Sequence, residues 1–314
     1  MNGTNLAGKV ALVSGSSMGI GKSIAMVLAA DGAHVVLNGR DRLKLMDTET
    51  ELRSMGFEVT AVMADIRSPE RCLYLVQQTI AIYGQVDILV NNAAVSSRGA
   101  VAEMADNNYK VLSETNFNGS AHLSKYAIPH IKKTKGHIIF INSAAGFRGM
   151  PFNSAYSASK MAQASLAEAL RLELFDFGIH VGVVFVGFTE NDPKKTILDV
   201  DGSLIFLPKR TNINLAKPQA VARSIKRMIL QRKNTITLTA LGRFTGFATR
   251  YLPRFSNWLL WVNRGKIKKQ FTLIGGETQE ETPWSPEKEY IDWGPSHANP
   301  NKMCHPCPKG IGLR

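Results

Sequence analysis

Val10-Ala11-Leu12-Val13-Ser14-Gly15-Ser16-Ser17-Met18-Gly19-Ile20-Gly21 runs from a short apolar segment into a glycine-rich turn, and a helical pattern begins at Ile20. Glycines in such a turn allow a tight reversal, close backbone approach to a pyrophosphate and tight packing of helix on sheet. The helix that follows would offer free N–H groups and its positive dipole end to phosphates. Taken alone, the turn could be only a tight loop. Directly after the first strand of an α/β pattern it points to a dinucleotide site.

That pattern continues along the chain. Val10 to Val13, His34 to Leu37, Phe57 to Met63, Val86 to Val90, His137 to Ile141, Val181 to Val186 and Thr235 to Leu238 are apolar or β-branched at nearly every position, as in strands buried on both faces. Amphipathic helix patterns lie between them at 20–30, 69–83, 107–133, 154–177 and 217–232. The expectation is an α/β fold: one Rossmann-type domain with a doubly wound, seven-stranded parallel sheet and helices on both faces. The alternation stops near Thr239. The chain therefore divides into a catalytic unit over 1–239, a basic, aromatic, amphipathic extension over 240–275, and an irregular or disordered tail over 276–314 that is rich in Pro, Glu, Asn and Gly.

The second strand ends in Leu37-Asn38-Gly39-Arg40, without the acidic residue that would bond the ribose hydroxyls of NAD. Arg40 is either a solvated loop arginine or the partner of a 2′-phosphate, and the second reading favours NADP(H) over NAD(H). Further along, Tyr156 and Lys160 lie one turn apart on one helix face, thirteen and seventeen positions after Ser143. A tyrosine with a free pKa near 10 is a poor acid or base at neutral pH, and a neighbouring ammonium brings it toward the working range. Such a pair can equally be a solvated surface contact.

Taken together with Asp65 after the third strand, Asn91-Asn92-Ala93-Ala94 after the fourth, and Asn116 in Thr115-Asn116-Phe117-Asn118-Gly119, these motifs resemble the short-chain dehydrogenase/reductase family. The resemblance covers about residues 6–239. It implies NAD(P)-dependent exchange of a hydride with a ketone, aldehyde or secondary alcohol. Tyr156 would then exchange the proton with the substrate oxygen, and Lys160 would lower its pKa and bond the nicotinamide ribose. Ser143 would hold the carbonyl or hydroxyl, and Asn116 would anchor a water linking Lys160 to solvent. Gly15, Ser17, Gly19, Ile20 and Gly21 would line the pyrophosphate, Asp65 and Ile66 the adenine, Asn92 its ribose, and Thr189 the nicotinamide amide. No metal is implied, and a homodimer or homotetramer is. Two departures stand out: Ala94 replaces the usual glycine, and Val186-Gly187-Phe188-Thr189 lacks the usual proline.

The segment after the sixth strand, about 188–215, forms a flap over the substrate in this family. Here it mixes Lys194, Lys195, Lys209 and Arg210 with Ile197, Leu198, Leu204, Ile205, Phe206 and Leu207. It would suit a hydrophobic, lipid-like substrate, or its apolar residues simply pack on the domain. In the extension, Phe244, Phe247, Ala248, Tyr251, Leu252, Phe255, Trp258, Leu259 and Val262 recur at three- and four-residue steps, with Arg243, Arg250 and Arg254 opposite and Pro253 expected to kink or break a single helix. Peripheral membrane contact through 241–271 and docking on the protein's own surface or a partner subunit are the two readings.

The 314 residues are 44% hydrophobic and 20% charged, enough for a buried core. Of the formal charge of +13, the densest part falls between Leu241 and Gly276, where seven Lys or Arg occur with no acid, so a nucleic-acid partner is not indicated. Three cysteines form no disulfide framework, and Cys304-His305-Pro306-Cys307 lacks a thioredoxin context. The polar N-terminus leading straight into the first strand favours a cytoplasmic compartment. The alternatives are a soluble reductase of small carbonyls or ketoacyl thioesters, and a non-catalytic nucleotide-binding scaffold. A scaffold would need none of Asn116, Ser143, Tyr156 and Lys160.

Overall fold

The structure, a computed structural model, describes residues 6–190, 192–207 and 215–272. The expected tail over 276–314, with Cys304 and Cys307, and Lys209 and Arg210 of the flap lie outside the described residues. The seven parallel strands are β1 (Val10–Val13), β2 (His34–Gly39), β3 (Val59–Met63), β4 (Ile88–Asn91), β5 (His137–Ser143), β6 (His180–Val186) and, after a β7–β8 hairpin (Thr196–Leu198, Leu204–Phe206), β9 (Thr235–Thr237). Their order is β3-β2-β1-β4-β5-β6-β9, so the winding reverses between β1 and β4 and opens a crevice at the strands' carboxyl ends.

The near-continuous apolar strands are explained by two cores, one on each face. On one side, Ile24, Ala25 and Leu28 of α1 (Gly19–Ala29) pack with Val221, Ile225 and Ile229 of α7 (Pro218–Gln231). On the other, Cys72, Leu75 and Val76 of α3 (Pro69–Tyr83) meet Leu123, Ala127 and Ile131 of α5 (Gly119–Thr134), with Ala167 and Leu170 of α6 (Ser154–Glu173). Phe140 is wholly buried in this second layer.

Three elements differ from the periodicity. First, α2 (Arg42–Ser54) fills a stretch where no helix is expected. Its buried face is only Leu45, Thr48, Glu49 and Leu52, too polar to give an amphipathic signal, although Asp41, whose side chain accepts from the Lys44 N–H, marks its start as a helix cap. Second, the single helix expected over 107–133 is α4 (Asp106–Ser113), a π-helical turn (Glu114–Asn118) and α5. Such turns often mark functional sites. Third, α6 stops at Glu173 and gives way to a tight turn at Phe175–Phe177.

After β9 the chain forms α8 (Ala240–Tyr251), α9 (Pro253–Val262) and α10 (Arg264–Thr272), with the break at Pro253. These helices dock through small residues. Gly242, Ala248 and Ser256 are buried, Gly246 lies against the Phe147 ring, and Arg148 Nη2 donates to Asn257 Oδ1 at 2.6 Å. The aromatic side chains face outward, with Trp258 55% and Trp261 62% exposed. Among the described residues no helix is long and apolar enough to cross a membrane.

At the amino ends of β5 and β6, His137 Nδ1 and His180 Nδ1 meet at 3.0 Å, and His180 Nε2 lies 2.9 Å from the Lys233 carbonyl oxygen. A carbonyl only accepts, so His180 is protonated on Nε2 and takes a hydrogen bond from His137 on Nδ1. Burial, then the His180, Arg232 and Lys9 charges, push His137 down to about 3. Burial also lowers His180, against its bond to Lys233. An unfolded histidine titrates near 6.5, so between about 3 and about 6.5 the unfolded chain binds more protons. Stability is therefore expected to be full above about pH 6.5 and to fall as pH drops toward 3, measured as urea midpoints against pH. His137→Asn should shift the midpoint at pH 7 and flatten that slope.

Candidate active site

The crevice at the carboxyl ends of β1, β4 and β5 collects the residues singled out in the sequence. Gly15 and Gly19 have φ of +61° and +56°, a left-handed conformation that favours glycine. A Cβ on Gly15 would lie 2.7 Å from Ala93 Cα, and one on Gly21 would collide with the Gly15 carbonyl and Asn92 Nδ2. Asn92 Nδ2 holds the turn by donating to the Ser14 and Gly15 carbonyls, both at 2.9 Å. Ser14 Oγ receives the N–H groups of Asn92 and Ala93, and Thr48 Oγ1 donates to the Ser17 carbonyl at 2.8 Å. No side chain caps the first turn of α1, and no acid sits in it. A helix N-terminus left open behind Gly15 and Gly21, where a Cβ has no room, fits a pyrophosphate.

At the end of β2, the buried Asn38 amide donates to the carbonyls of Val62 and Ala64 and ties β2 to the end of β3. Arg40 follows, exposed to solvent. Across from it, Asp65 takes Arg67 Nε at 2.8 Å and Nη2 at 2.5 Å. Partial burial alone would raise the Asp65 pKa, but hydrogen bonds from Arg67 and the charges of Arg67 and Arg40 hold it below the usual carboxylate value. The rim of the crevice thus carries two arginines around one satisfied carboxylate. Ile66 is buried against Gly119, away from solvent.

At the other end of the crevice, Ser143 closes β5, and its Oγ accepts from the Ala145 N–H at 3.2 Å. Tyr156, half-buried, and Lys160, fully buried, share the inner face of α6. Lys160 Nζ donates to the Ile141 carbonyl at 2.9 Å and to Gln163 Oε1 at 3.1 Å. Burial, reinforced by the Lys195 charge, lowers the Lys160 pKa to about 7. Asn116 sits in the π-helical turn. Its side chain pairs with both backbone groups of Val95, at 2.8 and 2.9 Å, and donates to Ser159 Oγ at 2.9 Å. Thr189 is buried beside Ala216, with only a long contact of 3.4 Å from its hydroxyl to the Gly187 carbonyl.

The flap hairpin is docked rather than loose. The Leu198 N–H donates to Ser96 O at 2.9 Å, the Ala105 N–H to Val200 O at 2.7 Å, and Asn108 Nδ2 to Asp199 O at 2.7 Å. Ile197 and Leu198 are buried by this docking, while Leu204 and Phe206 stay exposed. A cleft of about 470 Å³ opens between the loop after β5, α6 and α9, lined by Arg148, Met150, Pro151, Met161 and Leu260 among others. Sequence reasoning missed Gln163, Asn142, Asn38 and Thr48, and named Lys195 only as a residue of the flap. Only Gln163 carried a signal, as a polar residue on the inner face of a helix one turn beyond Lys160. Among the described residues no group of three or more His, Cys, Asp or Glu is placed to hold a metal.

The short chain dehydrogenase family model matches residues 9–200. The chain is 31% identical over 247 residues to the Xenopus laevis dehydrogenase/reductase SDR family member 7B, spanning 76% of each. It is 32% identical over 265 residues to the Arachis hypogaea 11-beta-hydroxysteroid dehydrogenase A, covering 81% of this chain and 75% of that one. Among solved structures, a metagenomic short-chain oxidoreductase in complex with NADP superposes with a TM-score of 0.62 at 27% identity, over 74% of this chain and 97% of that one. The protein belongs to the short-chain dehydrogenase/reductase family and is an NAD(P)-dependent oxidoreductase.

Proposed function

We propose that the protein is an NADP(H)-dependent carbonyl reductase or alcohol dehydrogenase acting on a hydrophobic, lipid-like ketone, aldehyde or secondary alcohol. The observation that carries this is a tyrosine and a fully buried lysine one turn apart on α6, the lysine tied to the Ser143 end of β5 through the Ile141 carbonyl and Asn142. A nicotinamide held there would supply or take the hydride. Tyr156 exchanges the proton with the substrate oxygen, Ser143 orients that oxygen, and the Lys160 ammonium lowers the tyrosine pKa and bonds the nicotinamide ribose. Asn116 fixes the lysine's surroundings. Gly15, Ser17, Gly19, Ile20 and Gly21 receive the pyrophosphate, Asp65, Ile66 and Asn92 the adenosine, and Thr189 the carboxamide.

Arg40, exposed where β2 ends and with no acid before Asp41, which caps α2, is assigned the 2′-phosphate. The NADP named in the solved relative supports this choice. The hydrophobic substrate class rests on the exposed Leu204 and Phe206 of the flap hairpin and on relatives named as hydroxysteroid dehydrogenases. The catalytic unit is taken as residues 1–239 with its flap at about 188–215. The extension is taken as a peripheral contact with anionic lipid, since its aromatic rings point outward and its charges, Arg243, Arg250, Arg254, Arg264 and Lys266 among them, are all positive. A homodimer or homotetramer is expected.

Tyr156→Phe should lower kcat by at least about a thousandfold with NADPH affinity within about twofold, since only the proton is lost. Steady-state turnover on a panel of ketones and alcohols, with cofactor fluorescence titration, checks both, and retained turnover refutes the mechanism. Arg40→Ala should weaken NADPH by about tenfold or more and leave NADH unchanged. An unchanged preference removes Arg40 as the selector. Replacing Trp258 and Trp261 by Gln should abolish flotation with vesicles rich in phosphatidylserine while leaving turnover of a soluble ketone intact. Equal partitioning would assign the aromatic face to another protein surface.

A further inference from the structure

Gln163 follows Lys160 by three residues on α6, has no exposed surface, and uses the full hydrogen-bonding capacity of its side chain. Its Nε2 donates to the Asn116 main-chain oxygen at 3.0 Å and to Ser120 Oγ at 2.9 Å. Its Oε1 accepts from Lys160 Nζ at 3.1 Å and from Asn142 Nδ2 at 3.2 Å. The orientation of the amide is fixed, because an ammonium only donates and a main-chain carbonyl only accepts. The Asn116 carbonyl also receives Ser120 Oγ at 3.0 Å, so both of its lone pairs are taken by protein donors. Asn142 Nδ2 reaches on to the Lys160 carbonyl at 2.8 Å, and Asn142 Oδ1 receives the Ser143 N–H at 2.7 Å.

A leucine or methionine would fill the same volume without bringing a polar group into a dry core, where each such group must find partners. The partners that Gln163 finds are the lysine, the main chain of Asn116 and the residue that fixes Ser143. We infer that Gln163 is a positioning residue for Lys160: its amide holds the ammonium against the Ile141 carbonyl and joins it to Asn116 through protein atoms, the link that the family resemblance gives to a water. The inference rests on the role proposed for Lys160. The ammonium is then solvated by two neutral acceptors, one from β5 and one from α6. The ionisable groups that bear on it are Lys195 from the segment after β6, which disfavours its charge, and Tyr156 one turn away on α6. Losing the Gln163 oxygen leaves a buried cation with one fewer acceptor, and a carboxylate in its place supplies a counter-charge.

The test is an NMR pH titration of the full chain labelled with ¹³C-lysine, without substrate or cofactor, the Lys160 signal being assigned by its loss in Lys160→Met. The Lys160 midpoint should fall by about one unit in Gln163→Met and rise by about one unit or more in Gln163→Glu. Midpoints that coincide with the wild type in both variants overturn the inference. Should Gln163→Met fail to fold, the Glu variant decides by the same criterion. Purely structural damage would lower stability without moving the midpoints in opposite directions. Because no turnover is read, failure to find a substrate bears on the proposed function alone.

Discussion

A lysine ammonium buried to 2% exposure must be solvated by the protein itself, and much of the architecture around the crevice serves that requirement. The strand that supplies the Ile141 carbonyl must end beside α6, and the helix that carries Asn116 must present a main-chain oxygen inward. The π-helical turn at Glu114–Asn118 does the latter, since widening one turn directs a carbonyl out of the regular ladder and toward Gln163. The lysine, the turn and the end of β5 are thus one hydrogen-bonded unit, and Ser143 is attached to it through Asn142. Removing a partner from such a unit leaves a buried polar group unpaired, so its members are energetically coupled.

The same economy of position links the C-terminal helices to the chemistry. α8 begins where Thr239 Oγ1 caps the Gly242 N–H at 3.1 Å, and a Cβ on Gly187 would strike the Thr239 side chain. The Phe147 ring, just beyond the turn that Ser143 caps, stacks on Phe185 with centroids 4.0 Å apart and meets Gly246 of α8. The extension therefore forms part of the wall behind the Ser143 turn. Small residues make that docking close, and this leaves the large aromatic residues of the same helices on the outside.

Much of the candidate site's placement was legible without coordinates because it depends on local spacing. The glycine turn needs positive φ at fixed positions, and Tyr156 and Lys160 need one helical turn between them. The helix α2 was not legible, since its buried face is half polar and its polar members are satisfied by the Ser17 carbonyl and the Ala61 N–H of β3, partners that periodicity does not show. The break in the helix over 107–133 was not marked by any proline or glycine within Glu114–Asn118, and its extra residue is accommodated by hydrogen bonds that Asn116 makes with Val95, Ser159 and Gln163.

Sequence alone determined the succession of the seven parallel strands, the sheet they form and the glycine turn after the first of them. Periodicity and glycine placement are properties of neighbouring residues, and they act before any long-range contact forms. Tertiary structure alone decided which polar groups meet Lys160, why Gln163 is a glutamine, and which face of α8 and α9 is turned to solvent. Each of these depends on hydrogen bonds and packing between residues tens of positions apart, brought together only when the sheet is complete.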